Sequence, residues 1–224
     1  MEFRAASDQA VLVYLGEEIG LASHQRVCKL LRLLQQEPLG WVRNLQPAYC
    51  SLLVSFDPFQ VERHEVEATL RHYEQRAGKM ALPEPRTVEI PVCYGGEFGP
   101  DLDEVAATHK LSASRVIELH TSRTYRAYFL GFAPGFAYLG DLTPEIATPR
   151  LATPRKKVAA GSVGIAGGQS AVYPFATPGG WRLIGRTPLE MFRKDREPMG
   201  LIAVGDEVRF RTITREEFAA WPPP

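Results

Sequence analysis

Residues 131–190 hold 17 glycines and prolines, against 7 in the first 80 residues. That density rules out continuous helix, because proline removes a backbone donor and glycine raises the entropy cost of ordering. The strings GFAPGFAYLG, GSVGIAGGQSAVYP and TPGGWRLIGRTP therefore predict short strands joined by tight turns. Aromatic side chains fall inside this stretch or at its edge, at Phe129, Phe132, Phe136, Tyr138, Tyr173, Phe175 and Trp181. From Ile146 to Leu189 the chain carries six lysines or arginines and no acidic residue. Backbone-exposing turns, aromatic walls and charge of one sign predict a pocket for a small anion.

The charge of the whole chain points nowhere, with 26 basic residues against 26 acidic ones. A role on nucleic acid or at a membrane surface normally brings a basic excess, so neither partner is expected. The three cysteines, Cys28, Cys50 and Cys93, form no CxxC pair and no zinc-like cluster with histidine. No bound metal and no disulfide framework is expected, and a reducing, cytoplasmic setting fits. The first residues, MEFRAASDQAVLVYLG, read as a strand pair and not as a signal peptide. No apolar run reaches the ~20 residues that span a bilayer.

The first 80 residues predict strands at 3–6 and 11–15, then a helix with Val27, Leu30, Leu31 and Leu34 on one face. Two more strands follow at 41–45 and 51–56. Asp57-Pro58 then opens a helix carrying Val66, Leu70, Tyr73 and Ala77. With a last strand at 88–92 the order becomes βαββαβ, a ferredoxin-like α+β module. The ALPEPR segment, 81–86, is the expected boundary, dividing an N-terminal domain 1–82 from a mainly-β domain 83–224. Asp101 with Glu104 resembles a capping box, and Ser112 caps a second short helix. Beyond Thr124, short strands with Gly/Pro punctuation predict a closed barrel or sandwich. GDEVRF is a turn and strand, and WPPP closes the chain as an extended tail.

Each chemical motif also has a structural reading. The glycines of GSVGIAGGQS can bring backbone N–H groups to an anion, with Ser162 and Gln169 as polar ligands, or can simply bend a barrel strand. The string is neither a Walker A loop nor a nucleophile elbow. In GGWRLIGRTP, strand parity places Arg182 and Arg186 on one face, suited to carboxylate or phosphate; the alternative is two solvated arginines. Arg150 and Arg155, each in an ATPR string, predict a loop presenting cations. Phe132, Phe136, Tyr138, Tyr173 and Trp181 form either a pocket wall or core. His120 is the first choice for a general base, although a histidine at a helix C-terminus is also favoured by the dipole. Cys93 reads as a buried thiol, and His24, His64 and His72 read as surface. Asp101, Asp103, Asp141 and Asp206 are candidates for Mg²⁺, each equally at home in a cap or turn.

The strings PVCYGGEFGPDLDEVA, IELHTS, GFAPGFAYLG, GSVGIAGGQSAVYP, PGGWRLIGRTP and GDEVRF, in that order, resemble the B-type subunit of bacterial 5-oxoprolinase. That family is also labelled allophanate hydrolase subunit 1 and includes KipI, an inhibitor of a sensor histidine kinase. PAYCSLLVSFDP extends the resemblance to the N-terminal part, while Val158-Ala159 departs from a frequent Val-Pro. The resemblance implies an α+β domain followed by a cyclophilin-like β-barrel. It also implies partner subunits of A type and C type (the latter KipA-like) and ATP with Mg²⁺. The reaction implied is opening of the 5-oxo-L-proline lactam to L-glutamate, with the chain inactive alone. A kinase-inhibitor role and an allophanate hydrolase role are the alternatives. Prolyl isomerase activity is not expected, because no Phe-His-Arg-type string is present.

Overall fold

In the computed structural model, residues 1–222 are described and fall into two compact units, 1–84 and 85–222. Pro223 and Pro224 of the WPPP tail lie outside the described residues.

The first unit contains β1 (Glu2–Ser7), β2 (Ala10–Tyr14), α1 (Leu21–Gln36), β3 (Val42–Pro47), β4 (Ser51–Phe56) and α2 (Arg63–Gly78). Its four strands form one antiparallel sheet in the order β1-β2-β4-β3. Alternate residues of β2 and β4 (Val11, Val13, Leu52, Val54 and Phe56) are buried against Leu30, Leu34, Val66 and Leu70 of the helices. Each such aliphatic side chain contributes roughly 1.5–3 kcal/mol through burial.

The element order is thus ββαββα rather than the βαββαβ expected from the sequence. The N-terminal strand pair supplies two strands to this sheet. The 88–92 segment, within β5 (Thr87–Tyr94), belongs to the barrel, where it pairs with strands from the far end of the chain. The start of α2 also differs from expectation. Asp57 makes a turn, accepting from the Phe59 N–H at 3.0 Å, and the helix begins later, behind a Glu62–Glu65 capping box.

The second unit continues with α3 (Leu102–His109), α4 (Ala113–Thr121), β6 (Thr124–Leu130) and β7 (Ala137–Gly140). It then adds β8 (Arg155–Val158), β9 (Ser162–Ala166), β10 (Gln169–Val172), β11 (Thr177–Gly179), β12 (Arg182–Arg186), β13 (Glu207–Thr212) and α5 (Arg215–Ala219). Seven of these strands close a barrel in the order β10-β7-β6-β13-β5-β12-β9, and β8 and β11 pair outside it. β5 and β13 run parallel, and the other barrel pairs whose register is defined are antiparallel.

Closure removes the exposed strand edges that a Gly-rich sheet would otherwise present. Ile90, Val92, Tyr125, Leu139, Val163, Ile165, Ile184, Val208 and Phe210 fill the core together with Leu102 and Val105 of α3 and Val116 and Leu119 of α4. Ser112 caps α4 as expected, accepting from the Arg115 N–H at 3.1 Å. Among the described residues no helix is long and apolar enough to cross a membrane.

Candidate functional site

The aromatic strings converge. Phe136, Tyr173 and Trp181 are almost fully buried and form a cluster of their own with Val158, Ala171 and Leu183, separate from the main barrel core. Ring centroids lie 5.4 Å apart for Phe136–Tyr173, 5.7 Å for Phe136–Trp181 and 6.0 Å for Tyr138–Trp181, all at edge-on angles. That edge-to-face geometry is what ring quadrupoles favour. Tyr138 also stacks on Phe129 at 4.3 Å. Of the five predicted wall residues, four are therefore mostly packing.

Phe132 differs. It is 62% exposed and held at a φ of 67°, in the left-handed region that a bulky side chain normally avoids. With Pro134, Gly135, Phe192 and Gly200 it lines a cleft of about 450 Å³. A Cβ on Gly135 would fall 2.7 Å from the Phe192 Cβ, so only glycine lets these two loops meet. Phe192 and Gly200 lie in a stretch whose composition carried no pocket signal, so sequence reasoning missed them.

The arginines do not form one cluster. Arg182 reaches Glu104 of α3 at 2.7 Å and the Pro149 carbonyl at 3.3 Å. Arg186 donates instead to the Ala160 carbonyl at 2.8 Å. The parity argument fails at a β-bulge between Leu183 and Gly185. The bulge gives Arg182 and Arg186 the β9 partners Ile165 and Ser162, three residues apart and hence on opposite faces. Arg155 pairs with buried Asp101, Nη2 to Oδ1 at 2.5 Å, while the other Asp101 oxygen accepts from the Leu183 N–H at 2.6 Å. The segment that lacks acids thus borrows two from α3 and its N-terminus. No local pattern in 146–189 signals that.

Both Asp101 oxygens are therefore engaged: they neither cap α3, which has no side-chain cap, nor stand free for Mg²⁺. Asp206 is engaged through one oxygen, Oδ2, which accepts from Arg86 at 2.5 Å and from the Ala203 N–H at 2.8 Å. Asp103 lies exposed in the first turn of α3, and Asp141, at a φ of 71°, meets the Tyr128 hydroxyl at 3.4 Å. No group of three or more potential metal-ligating side chains occurs among the described residues.

Arg150 is exposed, sits 5.6 Å over the Trp181 ring and forms no ion pair among the described residues. Burial raises the Tyr173 hydroxyl above the ordinary phenol range, opposed by the Trp181 backbone N–H and by the charges of Arg150 and Arg155. Predicted cations and predicted wall residues meet at this point.

GSVGIAGGQS is the β9–β10 hairpin. The Gly161 N–H donates to Tyr173 O at 2.7 Å, Ser162 N–H to Ala159 O at 3.2 Å and Gly167 N–H to Thr148 O at 2.8 Å. With these amides committed, the string does not fit a phosphate cradle. Its glycines serve close packing: a Cβ on Gly164 would fall 3.1 Å from the Trp181 Cβ. Ser162 is buried and Gln169 partly exposed, at opposite ends of the hairpin.

His120 is fully buried in the barrel core. Its Nδ1 lies 2.8 Å from the Tyr94 hydroxyl and its Nε2 2.9 Å from Ser170 Oγ, with the Phe210 ring 4.4 Å away. Burial lowers its pKa to about 3. The residue expected as a general base is thus an imidazole sealed from solvent, with both nitrogens engaged, that ties α4 to the barrel. Cys93 is buried as expected, and burial pushes its thiol up. His24, expected at the surface, is buried on α1.

The architecture defines a protein of two units, an antiparallel sheet under two helices and a closed seven-stranded barrel. Residues 1–202 match the family described as carboxyltransferase domain, subdomain C and D. The B-type 5-oxoprolinase subunit of Bacillus subtilis is 43% identical, over 96% of this chain and 93% of the relative. That of Escherichia coli O157:H7 is 44% identical, over 91% and 92%. A crystal structure of TTHA0988 superposes with a TM-score of 0.83 at 33% identity; it covers 96% of this chain, which spans 41% of that one. The chain belongs to the carboxyltransferase subdomain C and D family, and within it to the B-type subunits of 5-oxoprolinase.

Proposed function

We propose that this chain is the B-type component of a cytoplasmic, ATP-dependent 5-oxoprolinase. The enzyme would open the lactam of 5-oxo-L-proline to L-glutamate in an assembly with A-type and C-type subunits. The observation that carries the reading is the 43% identity across 93% of a relative bearing that name. In this reading the barrel is of the cyclophilin-like type. A lactam is a poor electrophile, and ATP would activate its carbonyl oxygen. The hairpin glycines of this chain do not form a phosphate cradle, so the phosphates are not assigned to them. This chain's contribution is placed at the Arg150–Arg155–Tyr173–Trp181 face, as a binder of the anionic substrate.

Exposed Phe132 lines one cleft with Phe192, and exposed Phe175 meets the Phe192 ring at 5.8 Å; such a contiguous apolar patch supports the need for partners. The test is glutamate release from 5-oxo-L-proline with ATP and Mg²⁺. Activity confined to the full mixture of three subunits, and lost when this chain is left out, is the expected result. A mixture of folded, co-purifying subunits that releases no glutamate would remove the reading.

A further inference from the structure

We propose that Arg150, Arg155 and the Tyr173 hydroxyl form a subsite for the carboxylate of a small cyclic monoanion, lying beside Trp181. This deepens the proposed function and rests on it only for the identity of the ring.

Arg155 is fixed at one end: its Nη2 holds Asp101, while its Nη1 is out of contact with solvent and has no hydrogen-bond partner. A charged donor left without an acceptor in a buried position is costly, so something absent from the protein itself accepts there. Arg150 brings a second guanidinium with no carboxylate opposite it among the described residues. Arg150 lies over the Trp181 ring, Arg155 stands opposite Gly179, against which the Tyr173 hydroxyl packs, and the Tyr173 and Trp181 rings both meet Phe136.

The backbone supports the same location. Gly179 is the register partner of Arg155, and a Cβ on it would fall 2.4 Å from Tyr173 Oη. Glycine there lets the Tyr173 hydroxyl pack against the β11 backbone next to Arg155, and any larger residue would push the hydroxyl away.

The chemistry selects the ligand class. Two guanidinium charges against the single Asp101 carboxylate leave a net +1, which matches a monoanion better than a phosphate dianion. Tyr173 stays protonated and donates, Arg155 Nη1 donates from a fixed position, and Arg150 closes from the exposed side. A carboxylate has two oxygens to receive them. Arg182 and Arg186 are not part of this subsite, because each is engaged elsewhere.

The experiment is a calorimetric titration of the full chain with 5-oxo-L-proline, with 2-pyrrolidinone (the same lactam without a carboxylate) and with inorganic phosphate. Binding of 5-oxo-L-proline alone is expected, weakened about tenfold or more in Arg150→Ala and in Tyr173→Phe. It should be lost in Gly179→Ala and unchanged in Arg186→Ala. Neither Arg150→Ala nor Tyr173→Phe removes the Asp101 ion pair, so both should fold, which circular dichroism checks. No binding to the wild-type chain, equal binding of 2-pyrrolidinone, tighter binding of phosphate, or full affinity in both variants would each overturn the subsite. Glutamate release by the assembled enzyme separates the two readings. Release with unaltered KM in the Arg150 and Tyr173 variants overturns the subsite and leaves the enzyme. Variant-sensitive binding without any release keeps the subsite and removes the enzyme.

Discussion

His120 gives this fold a pH dependence whose size and sign follow from its surroundings. The groups that touch its ring are uncharged: the Tyr94 hydroxyl, Ser170 Oγ and the rings of Tyr125 and Phe210. Burial lowers the folded-state pKa from 6.5 to about 3. A group whose folded pKa is depressed in this way is held neutral, so protons bind the unfolded chain first. Its contribution is fully present above about pH 6.5 and drains away as pH falls toward 3. Between pH 7 and pH 4 the loss is about 3 kcal/mol, a large part of a typical 5–15 kcal/mol stability. Carboxylates titrate in the same window, so the test is a difference. Urea unfolding of wild type and His120→Gln at pH 7, 5 and 4 provides it. The neutral amide loses ring packing and hydrogen bonds, which costs about 2 kcal/mol at pH 7. It carries no proton penalty, so the two stabilities should cross near pH 5, with the variant the more stable at pH 4. Parallel stability curves across this range would refute the argument, because they would mean that His120 protonates in the fold without penalty.

The Asp101–Arg155 pair should show in a double-mutant cycle. Arg155 is 27% exposed, so the coupling expected is about 1–3 kcal/mol, below that of a fully buried pair; thermal unfolding of Asp101→Ala, Arg155→Ala and the double variant measures it. Additive losses would show that Asp101 acts only through the Leu183 N–H. Phe132→Asp should leave the unfolding midpoint within about 2 °C, because the side chain is exposed and leaves a strained backbone position. The same change should abolish co-purification with the A-type and C-type subunits, and retained assembly would remove Phe132 from the interface.

The parts of the fold readable from sequence were those set by local periodicity. The Val27-Leu30-Leu31-Leu34 stripe, the Val66-Leu70-Tyr73-Ala77 stripe and the Ser112 cap each depend on residues close to one another along the chain, and each stands in the structure. The density of glycine and proline likewise set short strands and a closed barrel, since sheet closure is the way such strands protect their edges. Pairing was not readable. β5 resembles the last strand of the first unit by position, yet its partners β12 and β13 lie about 90 and 120 residues later, where no local signal identifies them.

The candidate site shows the same division, and it shows why composition misled. The absence of acids from 146 to 189 is real in the sequence, yet it does not describe the charge in space. Asp101 and Glu104 come from α3 and its N-terminus and cancel Arg155 and Arg182, while one bulge turns Arg186 away from Arg182. Among the described residues, Arg150 and Arg186 therefore keep no carboxylate partner, Arg186 being held by the Ala160 carbonyl, and Arg155 is half-satisfied, so only Arg150 and Arg155 are left to bind an anion beside Trp181. A broad basic pocket would attract any polyanion; a net charge of +1 beside a phenol and an indole is suited to one carboxylate on a small ring. The acids supplied from outside the segment are thus what narrows the site, by removing the charge that would otherwise favour phosphate.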